Sequence, residues 1–271
     1  MSDNDEHGEL SAENLAGLER LADYVDPAGR KLGEDPRVRI QRMHDNPPPL
    51  HRDLRAWLYT SDALGGQSLK HPLLFDVFYN PSNNARLNEI YRIKRKEADK
   101  LLKQRRFGSY VWWHERAYRL DAFVGVMEEL DDKDYWELLA NIWSDSENIH
   151  QNFLMWRDCL EAEDRSSREL FMSEEDRVRL AELHLAETVT IFRGYCVSEG
   201  REGMSWTLDH DRAAWFASRF AGAIERSDCC EVAHATIKAE NIIAFVSARG
   251  EDEIVALPED AEVFKIETIK P

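Results

Sequence analysis

Three short stretches in the last third of this 271-residue chain put polar side chains where a buried strand would take apolar ones. Phe192-Arg193-Gly194-Tyr195 closes an apolar run with an arginine, whose planar fork of donors suits a phosphate or carboxylate. The glycine after it lets another group approach the backbone. Gly203-Met204-Ser205-Trp206-Thr207 offers two hydroxyls two residues apart, which a strand presents on one face. Arg249-Gly250-Glu251-Asp252-Glu253-Ile254-Val255 carries two glutamates, also two apart, into an apolar strand. On neighbouring strands the three pieces would make a cleft with an anion clamp, a positioning hydroxyl and a carboxylate. Taken singly, each has a plain structural reading. Arg193 would pair with Glu202 or Glu253 at a strand end, Ser205 and Thr207 would be edge-strand residues, and Glu251-Asp252-Glu253 would be a solvated turn.

The elements that must position these residues follow from hydrophobic period. Alternation predicts strands at Thr188–Tyr195, Met204–Thr207, Glu231–Lys238, Ile242–Val246, Glu253–Ala256 and Glu262–Thr268. Between the second and third, Asp209 caps a helix running to Phe220. Upstream the period is helical. Ser173, followed by Glu174, Glu175 and Asp176, opens a helix to about Ala186. Further helices are predicted from Asp134 to about Ser144 behind a capping Asp132, and from about Glu147 to Ala162, with Trp136, Trp143 and Trp156 packing there. From Ala85 to Arg106, Leu87, Ile90, Tyr91, Ala98, Leu101 and Leu102 recur at helical spacing among Arg86, Arg92, Lys94, Arg95, Lys96, Lys100, Lys103, Arg105 and Arg106, an amphipathic basic helix. The aromatic cluster after it, Phe107, Tyr110, Trp112, Trp113 and Tyr118, reads as core or as a stacking platform for bases.

The fold expected is α+β: a peripheral segment 1–50 ending in the stiff connector Pro47-Pro48-Pro49, a mainly helical region 51–171 with the basic helix 86–106, and a strand-rich unit 172–271. Net charge is −17, which disfavours phosphate tracking by the surface as a whole, yet residues 51–120 hold 14 basic against 7 acidic side chains. No apolar run approaches the roughly 18 residues of a membrane span, and Met1–Glu9 is acidic where a secretory signal is basic, so a cytoplasmic protein without a membrane partner is expected. Four cysteines without a Cys-x-x-Cys read as reduced thiols, and Cys229-Cys230 as a turn or strand start. The nine histidines show no ligand spacing; no metal is expected, and a site would have to be assembled entirely by the fold.

The order and spacing of the three polar pieces resemble the ADP-ribosyltransferase family of the arginine–serine–glutamate type, over roughly residues 186–268. The resemblance implies a compact split β-sandwich and an enzyme that takes NAD as its substrate. It implies that Arg193 holds the diphosphate and ribose of NAD, that the Gly194 backbone bonds the nicotinamide carboxamide, and that Ser205 orients the ribose and the catalytic glutamate. Thr207 completes the strand motif, and Trp206 and Phe216 belong to the NAD-binding set. Trp206 is bulkier than the small residue usual there. Glu253 is the implied catalytic glutamate, and Glu251 the one that marks transfer to arginine. Mono-ADP-ribosylation of a protein arginine, by an intracellular toxin or effector with a neutralising antitoxin or immunity partner, is therefore expected. Modification of RNA or DNA through the basic helix, simple NAD hydrolysis, or an inactive binding module of the same fold are the alternatives.

Overall fold

The computed structural model describes residues 46–61, 65–147, 149–196, 198–219, 230–248 and 250–269. Phe220, Cys229 and Arg249, each named above, lie outside them, as do Leu10, Leu15, Leu18 and Leu21, the spaced leucines in the sequence of the segment 1–50. The class is α+β with antiparallel sheets. No helix among the described residues is long and apolar enough to cross a membrane.

The chain divides into two compact units, 1–99 and 100–271. In the first, helix α1 (Arg52–Arg55) leads to a three-stranded meander, β1 (Leu58–Ser61), β2 (Gly66–His71) and β3 (Leu74–Tyr79), and then to the long basic helix α2 (Asn84–Lys103). The meander was not anticipated. Its strands are short, and β3 leaves Phe75, Val77 and Phe78 exposed, so apolar alternation barely registers. The proline connector is pinned to α2 by Asn84 and Asn88, whose side-chain amides donate to the carbonyls of Pro48 and Pro49 at 2.9 and 3.0 Å. On α2, Leu87, Tyr91, Ala98 and Leu101 are buried as the periodicity predicts. Its basic face is partly engaged: Arg95 bonds Asp53 and the Tyr91 hydroxyl, and Arg92 bonds Glu89.

The helices after α2 share one core with part of the sheet that follows, across the boundary expected near residue 171. Helices α3 (Phe107–Trp112), α4 (Arg119–Val124), α5 (Asp132–Asp145) and α6 (Phe153–Leu160) bury Phe123, Trp136, Leu139, Trp143 and Trp156 together with Met204, Ala244, Val246 and Val255. Trp143 and Trp156 meet edge to face at 4.9 Å. The cap of α5 is Asp131, accepting from the Asp134 amide at 2.8 Å, not Asp132. The Asp132 carboxylate is held instead by Ser166, its amide at 3.1 Å and its hydroxyl. Helix α6 is shorter than the predicted 147–162, with a 3-10 turn at His150–Asn152 before it.

Helix α7 (Glu174–Leu183) starts as read, Ser173 Oγ accepting from the Asp176 amide at 3.1 Å. The strands β4 (Thr188–Tyr195), β5 (Ser205–Thr207), β6 (Glu231–Lys238), β7 (Ala244–Val246), β8 (Glu253–Val255) and β9 (Ala261–Thr268) then form one sheet in the order β7-β8-β5-β4-β6-β9. Helix α8 (His210–Ser218) follows β5, capped by Asp209. The ladder narrows in its middle. Strands β4 and β5 share a single register pair, Phe192 with Thr207, whereas β4 and β6 pair along eight residues.

Candidate active site

Arg193, Ser205 and Glu253 stand on three adjacent strands, β4, β5 and β8. Directly opposed residues of an antiparallel pair point to the same side of the sheet. The register therefore builds one row, Glu253, Thr207, Phe192, His234 and Lys265, across β8, β5, β4, β6 and β9. Ser205, two residues from Thr207, shares this face. Two coverings meet on it. The helical core lies over Ala244, Val246 and Val255, while α8 lies over Phe192 and Val232 through Ala213 and Ala217. Ser205, half-buried, and Glu253, 5% exposed, occupy the seam between them.

Glu253 is aimed by the turn before it. Gly250 and Asp252 have φ of 64° and 43°, a left-handed conformation that costs a non-glycine residue on the order of 1 kcal/mol. Three bonds hold that turn. Thr207 Oγ1 donates to the carbonyl of Glu251 at 2.8 Å, the Leu208 amide donates to the carbonyl of Asp252 at 3.3 Å, and Arg212 of α8 donates to the carbonyl of Gly250 at 3.2 Å. Thr207 Oγ1 also accepts from the Asp209 amide at 3.1 Å, so one hydroxyl ties the end of β5, the start of α8 and the glutamate turn. Glu251, half-buried, is the apex of this arrangement.

Arg193 alternates to the other face, with Trp206 and Ile254. Its side chain is wrapped by the connection between β4 and β5: Nε donates to the Gly200 carbonyl at 2.7 Å and Nη1 to the Ser205 carbonyl. A Cβ on Gly203 would fall 2.0 Å from Arg193 Nη2, so glycine at 203 is what admits the guanidinium. Burial of this head group pulls its pKa down to about 10, and the Glu253 carboxylate is the largest influence opposing that fall. The two charges therefore sense one another from opposite faces.

Other expected positions take structural places. Gly194 does allow a close approach, but by protein: a Cβ there would lie 1.8 Å from the Ala213 carbonyl oxygen and 2.7 Å from the Ala217 amide nitrogen. Trp206 is 3% exposed in the core with Ile191, Tyr195 and Ile254, its indole donating to the Gly203 carbonyl at 3.0 Å. Phe216 on α8 is half-buried, with Arg219 above its ring at 4.9 Å and Trp215 beside it at 5.1 Å.

Two features escaped the sequence. A cavity of about 620 Å³ is lined by Arg201, Glu202, Trp206, Val263, Phe264 and Ile266, among others. A second, of about 760 Å³, shares Arg201, Glu202 and Pro258 and adds His150, Phe153 and Arg157. Neither includes Ser205 or Glu253. Their walls come from three distant stretches of chain, which no local pattern connects. The second feature is a group of His210, His234 and Glu267 on α8, β6 and β9.

No family model, curated protein or solved structure matches this chain.

Proposed function

We propose that the unit 100–271 cleaves NAD and transfers its ADP-ribose to a macromolecule, with Glu253 as the catalytic carboxylate and a protein arginine as the acceptor. The observation that carries this reading is the convergence of Ser205 and buried Glu253 on one face of adjacent strands, at a seam, behind a pinned left-handed turn. The narrowing of the ladder between β4 and β5 suits a split sheet.

In this reading the bond between the ribose anomeric carbon and the nicotinamide nitrogen breaks, and its electron pair leaves with neutral nicotinamide. The Glu253 carboxylate, bonded to the ribose 2′-hydroxyl, stabilises the oxocarbenium ion left behind. Ser205 orients ribose and carboxylate. The acceptor nitrogen then bonds the anomeric carbon, and its proton passes to Glu251. Arg193, with Nε and Nη1 committed to carbonyls, serves as a positioning residue that fixes the 200–205 connection and so Ser205. Gly194 gives α8 its seat.

The test is incubation with labelled NAD and a cell lysate, followed by parallel protease and nuclease digestion. Label released by protease supports the reading. Label released by nuclease moves the acceptor to RNA or DNA, the reading favoured by the exposed Arg86, Lys96 and Lys103 of α2. Nicotinamide release without label on any macromolecule identifies a hydrolase, and no consumption of NAD refutes the enzyme.

A further inference from the structure

At the far end of the same cross-strand row, beyond Phe192, three side chains bring metal-ligating atoms together. His210 opens α8, His234 lies on β6 and Glu267 on β9. His234 Nε2 is 3.0 Å and His210 Nε2 3.6 Å from the same Glu267 Oε2, and the three candidate ligand atoms all lie within 4.8 Å of one another. Bonds of about 2.0–2.2 Å in a tetrahedral zinc site place donors roughly 3.3–3.5 Å apart, so an ion would need shifts of under about 1 Å. All three residues are half-buried.

The rings are also positioned. Phe192 packs edge-on against both imidazoles, with centroids 5.5 Å from His210 and 5.1 Å from His234. Asp211 Oδ1 lies 3.4 Å from His210 Nδ1, on the far side of the ring from Glu267. With Nδ1 turned to Asp211, Nε2 is the ring nitrogen that faces Glu267.

We propose that His210, His234 and Glu267 form a three-ligand site for a divalent transition metal ion of the zinc class, leaving a coordination position for water or an exogenous ligand. Two neutral imidazoles and one carboxylate suit such an ion better than calcium or magnesium, which prefer all-oxygen sets. Three ligands from three elements would also clamp the start of α8 to β6 and β9. Lys265 is the built-in competitor: its Nζ lies 2.7 Å from Glu267 Oε2, where an entering ion would displace it. The site is independent of the reading of Glu253. His234 stands three strands from Glu253 in the register row, roughly 14 Å at the usual strand spacing.

The experiment is titration of the whole chelator-treated chain with Zn²⁺ alone, by calorimetry and equilibrium dialysis, beside His234→Ala, Glu267→Gln, His210→Asn and Lys265→Met, each checked for folding by circular dichroism. Expected are one ion per chain, affinity at least about a hundredfold weaker in His234→Ala and Glu267→Gln, and tighter binding in Lys265→Met, which removes the competing cation. His210→Asn keeps a residue suited to a helix start and serves where another variant fails to fold. No stoichiometric binding by the parent chain overturns the site. So does binding that persists unchanged in folded Glu267→Gln and His210→Asn, which would place the ion on other groups such as the cysteines.

Discussion

Thr207 and Glu253 are direct register partners across β5 and β8, and the same threonine's hydroxyl holds the Glu251 carbonyl. One residue thus sets both the strand position of one glutamate and the turn that carries the other. A carboxylate that is 5% exposed stays in place there through backbone pairing and a pinned turn.

Replacing Glu253 by glutamine keeps the shape and removes the charge. Nicotinamide release should fall at least about a hundredfold, about 2.7 kcal/mol of lost transition-state stabilisation, with melting temperature within a few degrees of the parent. Near-normal NAD turnover in the folded variant would sink the assignment.

Glu251→Gln separates transfer from cleavage. Because its expected role is to take the acceptor's proton, transfer to protein should be lost while slow hydrolysis of NAD continues. Labelling of protein at the parent rate would reject that role.

Gly203→Ala tests the seat of Arg193. The new methyl would occupy the guanidinium's place, breaking its bonds to the Gly200 and Ser205 carbonyls, charge-assisted bonds worth about 1.5–3 kcal/mol. Urea unfolding should show a loss of that order, and Arg193→Met should show a similar one. If instead Arg193→Met leaves stability unchanged but weakens NAD binding in calorimetry, the arginine is a ligand clamp and not a positioning residue.

Gly194→Ala should be worse tolerated, since its neighbours are helix backbone, which cannot rotate away as a side chain end does. Overpacking costs typically about 1–3 kcal/mol, and a shift of α8 would also move Arg212 off the Gly250 carbonyl. Thermal denaturation should therefore show a lower midpoint together with reduced NAD cleavage. A stable variant with lost NAD binding would return Gly194 to the cofactor.

The basic helix is tested by Arg86→Gln, Lys96→Gln and Lys103→Gln together, sparing Arg95, whose loss would also break its bonds to Asp53 and the Tyr91 hydroxyl. With a nucleic-acid acceptor, labelling weakens and its salt dependence flattens by about one unit of slope for each phosphate contact removed. With a protein acceptor, salt slope and NAD cleavage stay as in the parent.

The sequence alone determined what depends on neighbours along the chain. Strands β4 and β6 run over the residues that alternation assigns them, Ser173 and Asp209 cap their helices, and the buried stripe of α2 follows its period, because these arise within a few residues. It also supplied Ser205 and Glu253, which stand two register positions apart on one face of paired strands. Only the tertiary structure decided the phase between strands. With β4 and β5 joined at Phe192 and Thr207, Arg193 falls on the face away from Glu253; a one-residue slip would have reversed it, and the connection between the strands, not their composition, fixes that register. The same dependence on distant pairing explains why Gly194 receives a helix, why residues 100–171 share a core with β7 and β8, and why His210, His234 and Glu267 converge without any ligand spacing in the chain.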